Sequence, residues 1–168
     1  VAERGALGRR GLAGAALALL CRPAASQNAE TLAPLLARLI EASRAQAIAA
    51  GVQKMPESVR RGLAGYFPDA LLRKVRFAAG TMEGNALPAL AFAYGDAAAM
   101  TLGDTIVFRD RWRAESDLKL WAHELTHVQQ YDRWGIDGFA ERYVRDSKAV
   151  EQEAYGNADR FEAWRAKH

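Results

Sequence analysis

The residues in this chain best suited to chemistry are two histidines four positions apart with a glutamate after the first, His123-Glu124-Leu125-Thr126-His127. On a helix, positions i and i+4 lie on one face, so His123 and His127 can present two imidazoles to one metal ion. Glu124 sits about 100° round the axis from His123, within reach of a water on that ion. H-E-x-x-H is the pattern of zinc hydrolases, where two His and a third ligand from elsewhere hold the ion and the carboxylate is the general base. The chain has three histidines; two are in the pattern and the other is His168. The expectation is one zinc ion held in part by His123 and His127, with Glu124 as the catalytic residue.

Such chemistry requires a helix under the pattern. Between Glu115 and Tyr131 there is no Gly or Pro, and Leu118, Trp121, Leu125 and Val128 recur at intervals of three and four. That is one apolar stripe, with the two histidines roughly opposite it, an arrangement suited to an active-site cleft. Arg133-Trp134-Gly135 should end this helix, with Trp134 a core or cleft-wall residue. A short helix is expected near Phe139 to Arg145. A final helix should begin near Ser147, with Val150, Ala154, Ala158, Phe161 and Trp164 on one face. The third ligand should come from this last helix. Glu151 and Glu153 are the candidates, and because they flank the stripe on opposite sides, periodicity does not choose between them.

Upstream, Glu30 to Ala50 reads as a helix that stops at Gly51, and a shorter helix should run from Pro56 to Tyr66. Arg60-Arg61 on it read better as a solvated helix face than as an anion site. Val75 to Phe77, Leu90 to Tyr94, Ala99 to Leu102 and Thr105 to Phe108 read as strands, with a loop at Gly80 to Asn85 and a hairpin turn at Gly103-Asp104. The expected fold class is α+β: N-terminal helices, a small antiparallel sheet, the pattern-bearing helix, then C-terminal helices. The hairpin is the candidate edge for an extended substrate.

The first 26 residues read as an export signal, residues 27–168 as a single domain. Arg4, Arg9 and Arg10 precede a short apolar run from Gly11 to Cys21, and Ala24, Ala25 and Ser26 offer small residues for cleavage before Gln27. The expected location is therefore periplasmic or secreted. Cys21 is the only cysteine, so the domain would have no disulfide. Taking the segment's four arginines from the 23 basic side chains and its one glutamate from the 20 acidic ones leaves 19 of each. The overall charge of +3 then belongs to the signal, and no basic tract marks nucleic-acid binding. Half the residues are apolar, which argues against disorder, and no run of eighteen apolar residues predicts a stable membrane span. Nothing in the sequence names an oligomeric state.

His123-Glu124-Leu125-Thr126-His127-Val128-Gln129-Gln130, with Glu151-Gln152-Glu153-Ala154 downstream, resembles a family of small zinc metallopeptidases that is also described as the core domain of extracellular contractile injection system proteins. The resemblance covers about Val75 to Phe161 and implies a zincin-like fold close to the gluzincins, whose third ligand is a glutamate on a later helix. In that clan the ligand often stands three residues before an Ala, which implies Glu151 as the metal ligand and Glu153 as the reserve. Two departures stand out. Family members often have one more residue between the second His and the Gln pair, so the parts played by Gln129 and Gln130 stay open. Tyr155 occupies the place where the clan often has Asp or Asn.

The function implied is peptide-bond hydrolysis of a peptide or protein substrate, with Tyr131, Tyr143 or Tyr155 as oxyanion stabiliser. Two other classes remain. One is a non-catalytic metal-binding scaffold or interaction domain of secreted or injection-system-associated proteins. The other is a metal-dependent hydrolase of a different substrate.

Overall fold

A computed structural model describes residues 29–80 and 86–168. The expected export signal (1–26), the start of the expected domain, and positions 81–85 of the expected loop lie outside the described residues. In chain order the elements are α1 (Ala29–Ala50), β1 (Gln53–Lys54), α2 (Glu57–Leu63), α3 (Asp69–Lys74), β2 (Arg76–Ala79), α4 (Leu87–Tyr94), β3 (Ala99–Leu102), β4 (Thr105–Phe108), α5 (Arg111–Ser116) and the long α6 (Leu118–Arg165). The class is α+β, as expected.

The sheet departs from expectation in two ways. It is mixed rather than antiparallel: in the order β1-β2-β4-β3, β2 and β4 run parallel while β1–β2 and β3–β4 are antiparallel. The cause is the connection between β2 and β4, which passes through α4 and β3 and returns the chain in its original direction. The second departure is Leu90 to Tyr94, which is helical. LPALAFAY is apolar on every side, so its period cannot distinguish helix from strand, and Pro88 in the first turn suits a helix start. The β3–β4 hairpin turns at Gly103-Asp104, with Gly103 at φ +68°.

Asp117 starts α6, its side chain accepting from Leu120 N at 2.9 Å, so the expected helix over 115–131 is split at its first turn from α5. α6 is then broken twice, at Gly135 (φ 68°, ψ 176°) and Asp146 (φ −154°, ψ 76°). Three helical segments result, 118–134, 136–145 and 147–165, close to the expected boundaries. Asp146 caps the third, accepting from Ala149 N at 3.0 Å.

The stripe of the first segment is buried as predicted: Trp121, Leu125 and Val128 are fully enclosed in a core with Leu63, Phe77, Phe108 and Phe161. The opposite face is buried too. α1 covers it: Leu36, Ala37, Ile40 and Ala47 are buried in a second cluster with Tyr131, Phe139, Tyr143 and Val150 of α6. Leu35 and Ile48, apolar in the sequence pattern, face outward. The pattern-bearing helix is therefore central to the molecule rather than laid along an open cleft.

Candidate metal centre

His123 and His127 lie on the first segment of α6 and Glu151 on the third, and the fold brings them together. Their Nε2 atoms are 3.0 Å apart, and Glu151 Oε2 stands 3.3 Å from His123 Nε2 and 3.6 Å from His127 Nε2. All three groups are largely buried, and together they could hold a metal ion. A tetrahedral zinc with bonds of about 2.0–2.1 Å spaces its ligands roughly 3.3–3.4 Å apart, so the triangle already has suitable dimensions. Glu151 Oε2 supports the fit: it is buried, has no hydrogen-bond partner, and faces both imidazole nitrogens. Two imidazoles and one carboxylate are a donor set that zinc accepts readily.

Glu153 turns away from this point. Its carboxylate accepts from Gln130 Nε2 at 3.0 Å and from Arg133 at 2.6 Å. Burial opposes its ionisation, but those two partners hold its pKa below the ordinary range. The choice left open by periodicity is decided in space: Glu151 is in the cluster and Glu153 is beside it.

Glu124 is 1% exposed and lines the same cavity as the three. Thr101 Oγ1 on β3 donates to its Oε2 at 2.7 Å, a contact no sequence signal announced, since a Thr in a strand gives no hint of its partner across the fold. Tyr143 donates to Glu151 Oε1 at 2.9 Å and Tyr131 to Thr101 O at 3.3 Å. Both tyrosines line the cavity. Tyr155 instead packs its ring against His123, centroids 4.4 Å apart. Trp134 does not line the cavity; it packs against the core cluster around Phe139, with the guanidinium groups of Arg133 and Arg142 5.1 and 4.6 Å from its ring. Arg60 pairs with Glu57 and Asp69, as a solvated helix face would.

The electrostatics are those of a coupled pair. Burial alone would lower the pKa of His127. The carboxylate of Glu151 close to its Nε2 outweighs it, helped by the charge of Glu124, and raises it to about 9. Burial likewise opposes ionisation of Glu151, but the two imidazoles that face its Oε2 overcome that and hold its carboxyl far below the usual range. Tyr131 is raised well above 10, first by burial and then by the charges of Glu124 and Glu151.

The cavity has a volume of about 40 Å³, room for on the order of two or three water-sized bodies. One wall is β3, the edge strand of the sheet, and another is Ile40 of α1. Two polar contacts fasten α1 over the site. Arg44 donates to Asp104 at 2.8 and 2.9 Å, and Ser43 Oγ accepts from Leu87 N at 3.0 Å.

A family model described as the eCIS core domain matches residues 54–135, a little under half of the chain. The match supports kinship with that family. It spans β1 through the first segment of α6, including His123, Glu124 and His127, and stops short of Glu151. No curated protein and no solved structure matches the chain. Among the described residues, no helix is long and apolar enough to cross a membrane.

Proposed function

We propose that this chain is a gluzincin-like, zinc-dependent metallopeptidase, exported and associated with an extracellular contractile injection system. In this reading His123, His127 and Glu151 hold one zinc ion and Glu124 is the general base. The observation that carries it is the meeting of two imidazole nitrogens and an unpartnered carboxylate oxygen within 3.0–3.6 Å of one another, beside a buried Glu124. A structural zinc site has no use for a carboxylate base among its neighbours, whereas hydrolysis requires one. When bound, zinc would supply a Lewis acid to polarise a carbonyl and ease deprotonation of water. Glu124, held by Thr101, takes the proton of the attacking water and delivers it to the leaving amine. Tyr131, which keeps its proton because its pKa is raised, and Tyr143 line the cavity, and either would meet a developing oxyanion by turning its hydroxyl from Thr101 O or Glu151 Oε1.

The substrate in this reading is a peptide or protein segment that adds to the free edge of β3. A cavity of about 40 Å³ is too small to hold a peptide, so this reading has α1, whose Ile40 forms one wall, move aside to admit substrate. The same observation favours the second reading, a metal-binding scaffold domain that does not turn over.

Metal content by mass and a peptide-library screen, run on wild type and Glu124→Gln, test the proposal. Wild type should carry about one zinc per chain, and His123→Ala with His127→Ala should carry none. Glu124→Gln should keep the zinc and lose on the order of 10²-fold or more of any hydrolysis. Zinc-loaded wild type that turns over no peptide, even with α1 loosened, leaves the scaffold reading standing and removes the peptidase.

A further inference from the structure

We infer that Gln130 is the positioning residue of the metal centre, one buried amide that orients His127 and ties down the backbone beside Glu151. This rests on the zinc reading above and assigns a part that H-E-x-x-H does not contain. Gln130 is wholly buried. Its Oε1 accepts from His127 Nδ1 at 2.8 Å. Its Nε2 donates to Val150 O at 3.0 Å and to Glu153 Oε2 at 3.0 Å. Both amide protons are thus spent on oxygen acceptors, and only one orientation of the amide fits. The reversed orientation would set Oε1 against a carbonyl and a carboxylate, and turn N–H bonds toward the imidazole.

That single orientation has two consequences. The first concerns His127. An acceptor at Nδ1 keeps a proton there, which leaves Nε2 as the nitrogen that gives its lone pair to a metal ion. The second concerns Glu151. Val150 is its immediate neighbour, so the amide fastens the residue that delivers the third ligand. The two histidines and Glu151 belong to segments separated by the breaks at Gly135 and Asp146. Helical continuity therefore cannot hold the ligand triangle, and a buried tie between the segments can. Glu153, turned away from the triangle, completes the tie and links it through Arg133 to the surface.

The test uses the full chain, with zinc affinity measured against a competing chelator and the visible spectrum of the cobalt-substituted protein as second readout. Gln130→Met keeps length and apolar volume but makes no hydrogen bond. It should weaken zinc binding by about 10–100-fold and alter the cobalt spectrum, with helical circular dichroism retained. Gln130→Glu keeps an acceptor for His127 but cannot donate to Val150 and faces Glu153, so it should weaken binding too. Adding Glu153→Gln returns a donor to the pair, and should recover affinity by about tenfold and restore the spectrum. That rescue is not expected of a residue that merely fills space, and it carries the test should Gln130→Met fail to fold. Wild-type affinity and spectrum in Gln130→Met, or a double variant no better than Gln130→Glu, overturns the inference alone. A wild-type chain that takes up no zinc overturns the proposed function together with it.

Discussion

Glu151 and Glu153 differ by two positions and stand in opposite situations. One aims an unpartnered oxygen at two imidazoles, and the other is saturated by an amide and a guanidinium. Glu151→Ala should therefore reduce zinc affinity by well over 100-fold, since it removes a bond and a charge at the ion. Glu153→Ala should cost only the about 10–100-fold typical of a ligand's supporting partner. Equilibrium titration of both variants checks this, and loss of metal in Glu153→Ala alone would reassign the ligand. A pH prediction belongs at this scale too. In the metal-free protein His127 is raised from its ordinary 6.5 to about 9, so the stability it contributes is whole below 6.5 and disappears as pH rises through about 9. Glu151 is lowered, so its contribution is whole above its ordinary 4.5 and is lost as pH falls below that. Zinc must displace the proton on His127, so its stabilising effect should run the other way and grow between 6.5 and 9. Thermal melts with and without zinc at both ends of that window test the opposed slopes.

Among the elements, α6 determines the site most, because its breaks fold the last segment back toward the first. Gly135 adopts φ 68° and ψ 176°, a region that only glycine occupies cheaply, and a Cβ there would meet nothing within 4 Å. Gly135→Ala should therefore destabilise through the backbone alone, by about 1–3 kcal/mol. Were the helix continuous, the same change would stabilise by about 1 kcal/mol. The sign of the shift in denaturation midpoint decides between the two. α4 shows the reverse lesson. Its eight residues contain no charged or amide side chain to mark an outer face, and it becomes a helix because Leu87 and Ala91 pack inward while Ser43 receives its first amide.

For the whole molecule, the question is how anything reaches a centre with walls of strand, helix and α1. The Arg44–Asp104 pair is partly exposed and worth about 0.2–1 kcal/mol, while removing Ser43 Oγ leaves a buried amide unpaired at about 1–3 kcal/mol. Arg44→Ala combined with Ser43→Ala should raise the population with α1 detached by roughly ten- to several-hundred-fold, since the two costs together come to about 1.2–4 kcal/mol and 1.4 kcal/mol is a factor of ten. Stopped-flow extraction of zinc by a chelator should speed up by a similar factor. Extraction that follows only the rate of global unfolding, measured alongside, would mean that α1 is not the route in.

The sequence by itself determined which side chains could share a site and the local structure around them. Residues four apart on a helix must share a face, so the pairing of His123 with His127 and the stripe through Trp121, Leu125 and Val128 were legible without coordinates. So were the break at Gly135 and the last helix near Ser147, because punctuation by Gly and capping residues is local. Tertiary structure decided whatever depends on distance through space rather than along the chain. It chose Glu151 over Glu153, gave Glu124 its Thr101 partner, and turned Gln130 from an unassigned neighbour into a tie across 20 positions. It also narrowed the expected cleft to a small cavity beneath α1. The side of a helix that α1 covers depends on how two segments pack, and no periodicity within either segment records it.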